Sequence, residues 1–118
     1  MNKRAVGSGR EAEAADFLKN RGFEIAEMNF RCRIGEIDII AKDGKYLVFV
    51  EVKYRASAAK GSPLEAVGFR KQWTISRVAS YYLLKNHLPE TTACRFDVVG
   101  MTPTETVLLK NAFNFIPY

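Results

Sequence analysis

The 118 residues are 47% hydrophobic and 26% charged, enough apolar material for one globular α/β domain over residues 1–118 without disulfide or metal staples. A formal charge of +5 favours a polyanionic partner, nucleic acid above all, although basic charge alone does not specify one. Cys32 and Cys94 lack a second Cys or His at ligand spacing, which argues against zinc, and the single His87 excludes Ser-His and Cys-His nucleophile systems. No apolar run is long enough for a signal peptide core or a bilayer span, so the expectation is a cytoplasmic protein with no membrane partner.

Gly7-Ser8-Gly9 reads as a flexible entry, with Ser8 capping a helix over about residues 9 to 21 and Gly22 closing it in the left-handed conformation. Ala14, Ala15, Phe17 and Leu18 form its apolar stripe. Glu11 extends that stripe inward at its amino end, where a helix-dipole carboxylate is the alternative. A strand follows through Phe23, Ile25, Met28 and Phe30, broken or turned near Asn29. Arg31 and Arg33 then lead into Gly35, either as a solvated edge or as phosphate contacts.

Gly35 to Lys53, GEIDIIAKDGKYLVFVEVK, holds two strand-forming runs around Asp43-Gly44 and predicts a β-hairpin. With that dipeptide as the tip, Ile40 faces Leu47, Asp38 faces Phe49 and Glu36 faces Glu51. One face then carries Glu36, Asp38, Ile40, Leu47, Phe49, Glu51 and Lys53, apolar toward the turn and acidic toward the open end. The other carries Ile37, Ile39, Ala41, Tyr46, Val48, Val50 and Val52 and should lie against a helix. Asp38 and Glu51, diagonal to each other, repel unless a cation lies between them, and hard oxygen ligands on one rigid surface suit Mg²⁺ or Mn²⁺.

Beyond the hairpin, Tyr54 to Gly61 is a loop of small and basic residues that includes Arg55 and Lys60. Ser62-Pro63-Leu64-Glu65 predicts the start of a long helix reaching about Asn86, with a stripe of Val67, Ile75, Val78, Ala79, Tyr82 and Leu83. Lys71 interrupts that stripe and either snorkels to solvent or reaches the acidic face. Phe69 and Trp73 fall off it. His87 reads as a surface cap at the helix end, Arg95 to Met101 as a strand, and Thr106 to Leu109 and Ala112 to Ile116 as short strand or coil.

GEIDIIAKDG followed by LVFVEVKYR, a Pro-Leu-Glu-Ala-Val helix and RFDVV resembles the small bacterial YraN-like family of uncharacterised proteins. That family is similar to the restriction-endonuclease-like, PD-(D/E)xK superfamily and to archaeal Holliday junction resolvases. The resemblance covers roughly Gly7 to Val99. It implies a restriction-endonuclease-like core, a mixed β-sheet flanked by helices on both faces in the order α-β-β-β-α-β-β. It also implies that Asp38 and Glu51 are metal ligands, Lys53 the motif lysine, and Glu11 the helix carboxylate that completes the site as a third metal residue. Arg10 stands where the family more often has glycine, and Ile37 replaces the proline before the motif aspartate.

The chemistry then expected is hydrolysis of a DNA phosphodiester, with Mg²⁺ or Mn²⁺ on Asp38 and Glu51 and with Lys53 orienting water or stabilising charge. Arg31, Arg33, Arg55, Lys60 and Lys71 are the candidate DNA contacts. Cutting a branched junction takes two cuts related by a twofold axis and implies a homodimer. Two further readings stand beside the nuclease: a non-catalytic nucleic-acid-binding module on the same fold, and a surface charge cluster on a half-solvated sheet.

Overall fold

The computed structural model describes residues 3–56 and 67–117. Seven elements follow in chain order: α1 (Lys3–Asn20), β1 (Glu24–Arg31), β2 (Glu36–Asp43), β3 (Tyr46–Tyr54), α2 (Phe69–Lys85), β4 (Cys94–Met101) and β5 (Thr106–Phe113). The strands lie in one sheet in sequence order, antiparallel except for β3 and β4. That parallel step requires a crossover connection, and α2 lies within it. The α/β order expected from the sequence is the order observed. Among the described residues, no helix is long and apolar enough to cross a membrane.

Each face of the sheet has its own core. Ala14, Ala15 and Leu18 of α1 pack with Ile39, Ala41, Val48, Val50 and Val99 on one side. On the other, Ile75, Val78, Ala79 and Tyr82 of α2 pack with Ile40, Leu47, Phe49 and Phe96. Both helices end as their residues demand. The Gly22 and Phe23 N–H groups donate to the carbonyls of Lys19 and Leu18, with Gly22 at φ +91°; the N–H groups of His87 (φ +57°) and Leu88 donate to Leu84 and Leu83. These are Schellman closures.

Helix boundaries differ from expectation at both amino ends. The first helix starts at Lys3 rather than near residue 9, so position 8 lies inside it rather than at its start. Gly7 and Gly9 each cost a helix about 1 kcal/mol relative to alanine, too little to stop it. The Ser62 to Glu65 start signal lies outside the described residues, but residues 67–68 are not helical. Gly68, extended at φ −65° and ψ 156°, is the N-cap of α2.

The hairpin register is also corrected. Ile40 pairs with Phe49, Lys42 with Leu47 and Asp43 with Tyr46, two residues away from the expected pairing, so the loop is Gly44-Lys45. Glycine with positive φ at the first loop position meets the requirement of a II′ turn. Asp43 stays in the strand, where its carboxylate accepts a 2.8 Å hydrogen bond from Arg95 and lies 3.4 Å from Lys110 Nζ. Because the shift is two residues, it preserves the alternation of faces.

Ile37 breaks that alternation. It pairs with Phe30 and packs on the α2 side, whereas Ile39 pairs with Met28 and packs on the α1 side. The ribbon changes face at Asn29 and Asp38, where Asn29 takes a left-handed φ of +52°. Asparagine tolerates that conformation better than most residues.

Asp97, only 1% exposed, was not anticipated as a structural centre. Arg95 donates to both of its carboxylate oxygens at 2.9 and 2.8 Å, and the Asn111 N–H donates to Oδ1 at 2.9 Å. The last bond satisfies backbone at the irregularity where β5 leaves register with β4 between Phe96 and Val98.

Gly35 sets how closely α2 approaches the β1–β2 turn. A Cβ there would lie 2.7 Å from Thr74 Cγ2, closer than van der Waals contact allows. We predict that Gly35→Ala destabilises the fold by about 1–3 kcal/mol in urea melts, the usual cost of overpacking. Adding Thr74→Ser, which deletes the obstructing methyl, should recover much of the loss; no recovery would place the constraint elsewhere.

Candidate functional site

The β2–β3 ladder runs from the turn only as far as Ile39–Val50. One residue further along β2, the Asp38 carboxylate accepts a hydrogen bond from the Val52 N–H at 2.8 Å. A side chain thus replaces a backbone rung, and the backbone ladder opens at this end. Continued past the last rung, the observed register would bring Asp38 opposite Glu51, rather than diagonal to it as the expected tip required. Glu51 and Lys53 alternate onto the face of Phe49, toward α2, with Lys53 alongside Gly100 of β4.

Glu11 of α1 reaches the same place from the opposite face. Its carboxyl is pushed up to about 7, first by burial and then by the charge of Asp38, to which the protonated form donates a hydrogen bond. The Asn29 side chain donates to Glu11 and opposes the rise. Asp38 is itself raised by burial, against the lowering effect of the Val52 N–H. Glu51 is pushed up to about 7 by burial and by Asp38, with Lys71 and Lys53 pulling it down. Lys71 Nζ stands 3.6 Å from Glu51 Oε1, so of its two readings the reach to the acidic face is the one observed.

The cluster makes ionisation costly, first through burial and then through the neighbouring carboxylate charge. Holding Glu51 near 7 rather than 4.5 disfavours its ionised form by about 3 kcal/mol. That penalty remains with both lysines already in place. A half-exposed lysine pair contributes at most about 1 kcal/mol, too little to remove it. Asp38 and Glu51 therefore suit a further cation. Mg²⁺ characteristically uses one or two carboxylates and keeps water or phosphate oxygens as its other ligands. Among the described residues no three His, Cys, Asp or Glu side chains converge as ligands of one ion, so Glu11 joins the cluster through Asp38.

The basic candidates are placed less uniformly. Arg31 Nε donates to Glu36 Oε2 at 2.8 Å, so its charge is already paired at the rim. Arg33 is exposed in the β1–β2 turn, and the Arg55 N–H is tied to the Met101 carbonyl at 2.9 Å. Lys60 lies outside the described residues. Asn29 and the Val52 N–H are the site groups that sequence reasoning missed. The break anticipated near Asn29 was the available signal.

Residues 10–101 match the profile of Uncharacterised protein family UPF0102. The chain belongs to this family. A UPF0102 protein of Lachnoclostridium phytofermentans is 54% identical over 114 residues, covering 97% of each chain. UPF0102 proteins of two Clostridium botulinum strains are 46% identical, covering 92% of this chain and 93% of theirs. The matched span takes in Glu11, Asp38, Glu51, Lys53 and Lys71, and so the whole cluster.

The pKa shifts carry a stability consequence. Glu11 and Glu51 bind their protons more tightly folded than unfolded, so this contribution is full below about pH 4.5 and is lost as pH rises through about 7. Without added divalent metal, stability should fall between pH 5 and pH 8 by about 1–3 kcal/mol, and Glu51→Gln should flatten that fall. Denaturant melts at the two pH values measure it; an equally steep fall in the variant would remove Glu51 as its source.

Proposed function

We propose that the protein is a metal-dependent nuclease acting on DNA phosphodiesters, with branched or otherwise structured DNA as its substrate and Mg²⁺ or Mn²⁺ as its cofactor. The observation that carries the reading is the opened end of the β2–β3 hairpin, where Asp38 and Glu51 share a partly buried setting with Lys53 one alternation away. Asp38 and Glu51 would hold the metal. When bound, it would polarise the phosphate and make its water ligand a better nucleophile.

The remaining work falls to the chain. Val52 N–H fixes the Asp38 carboxylate, so little reorganisation is needed when a cation arrives. Glu11 and Asn29 brace Asp38 from the α1 side. Lys53 carries a positive charge on the face of Glu51, where negative charge accumulates as the phosphate is attacked. Cleavage of junctions would further call for a homodimer.

A second reading has one observation in its favour. Lys71 already lies against Glu51, and a lysine in that position lets a binding module tolerate its acids without metal. The two readings separate at Lys53. In cleavage assays on linear, flapped and four-way DNA with Mg²⁺, Mn²⁺ and Ca²⁺, Lys53→Ala should reduce turnover by roughly a hundredfold or more. Its affinity for DNA should change by no more than a few-fold, about 1 kcal/mol or less. If the unaltered protein cleaves no DNA or RNA form, and Lys53→Ala only weakens binding, the binding module is the correct reading.

A further inference from the structure

The outer face of α2 carries aromatic side chains that neither core uses. Phe69 is 70% exposed and Trp73, one turn on, is 41% exposed; neither belongs to the cluster under α2 or the cluster under α1. The sheet-facing stripe is already filled by Ile75, Val78, Ala79 and Tyr82. An indole left at the surface of a small basic domain has no packing role that explains its position.

Trp73 is nonetheless held firmly. The buried Arg77 guanidinium lies 5.6 Å from the Trp73 ring centroid and 5.2 Å from that of Phe115. Arg77 donates to the Ile116 carbonyl, and the Ile116 N–H donates to the buried Ser76 hydroxyl at 3.0 Å. The chain after β5 is thereby strapped across α2, and Arg77 lies against both the indole and the Phe115 ring.

We propose that Phe69 and Trp73 form a stacking platform for unpaired nucleobases, so that the favoured substrate has single-stranded character beside the acidic site. The charge of α2 selects this partner. Its seventeen residues, FRKQWTISRVASYYLLK, include four cations and no acid; Arg77 is buried and Lys71 lies against Glu51, so Arg70 and Lys85 are the exposed charges that suit a phosphate backbone. Every base presents a π-face, and stacking on aromatic side chains with phosphates on neighbouring cations is how sequence-tolerant single-strand recognition works. The same helix delivers Lys71 to Glu51 on its sheet-facing side, so a strand stacked on the platform is one helix width, about 10 Å, from the cluster. The proposal rests on the nucleic-acid reading above for its partner, but not on catalysis.

Trp73 is the only tryptophan in the chain, so its fluorescence reports on the platform alone. The experiment titrates metal-free protein with oligothymidylate and with a blunt duplex of equal length. Single strand should quench the emission and duplex should not. Trp73→Ala, which has no tryptophan to report and is therefore compared with the unaltered protein by the fluorescence anisotropy of an end-labelled oligothymidylate, should weaken single-strand binding by roughly tenfold to a hundredfold, the range for one lost stacked base. Its salt dependence should not change, because no charge is removed. Trp73→Phe, which keeps an aromatic face and guards against a folding artefact, should retain most of the affinity. Equal quenching by duplex, or unchanged single-strand affinity in Trp73→Ala, would overturn the proposal. So would an emission shift that follows protein concentration without nucleic acid, which would make this face a contact between copies of the chain. Because cleavage is not read, loss of the nuclease reading would leave a positive quenching result standing.

Discussion

The hydrogen bond from the Val52 N–H to the Asp38 carboxylate is the constraint on which the candidate site depends. A continuous β2–β3 ladder would commit that N–H to backbone and leave Asp38 to point away from the sheet. With the rung replaced by a side chain, Asp38 is fixed between the strands. Glu11 can meet it from the α1 side, and Glu51 with its lysines from the α2 side. Asn29 supplies the complementary distortion on β1, its left-handed backbone turning the ribbon so that Ile37 and Ile39 serve different cores.

The two polar centres of the sheet are balanced differently. Asp97 is buried, but Arg95 grips both of its oxygens and Asn111 N–H completes its bonding, as a structural buried carboxylate requires. At the other end three carboxyls crowd together, all raised above their ordinary values. A fold can keep such repulsion when binding relieves it, and clusters of this kind concentrate at functional sites. The distinction lies in compensation rather than burial: Asp97 is the more deeply buried, and it has its counter-charge within the fold.

Much of this was legible in the residues. Helices on both faces of the sheet followed from the family resemblance, and the hairpin and the helix closure at Gly22 from local chemistry and alternation. So did the shared face of Glu51 and Lys53, because a two-residue register error leaves every side chain on its own face. The turn itself was misplaced because Asp-Gly is a strong local signal, while the ion pair drawing Asp43 into the strand comes from Arg95, distant in sequence. Ile37 was misassigned because strict alternation takes no account of a left-handed residue on the neighbouring strand. Burial of Ser76 and Arg77 was invisible from the periodicity of α2, since the covering segment comes from the end of the chain.

In the proposed metal centre, Asp38 and Glu51 at the end of the β2–β3 ladder would take up a divalent cation. Calorimetric titration of Mn²⁺ into the protein tests it most directly, with Asp38→Asn and Glu51→Gln as comparisons. Binding should be measurable and each substitution should weaken it strongly, while both variants keep a cooperative unfolding transition. Equal Mn²⁺ affinity in the unaltered protein and both variants would contradict it.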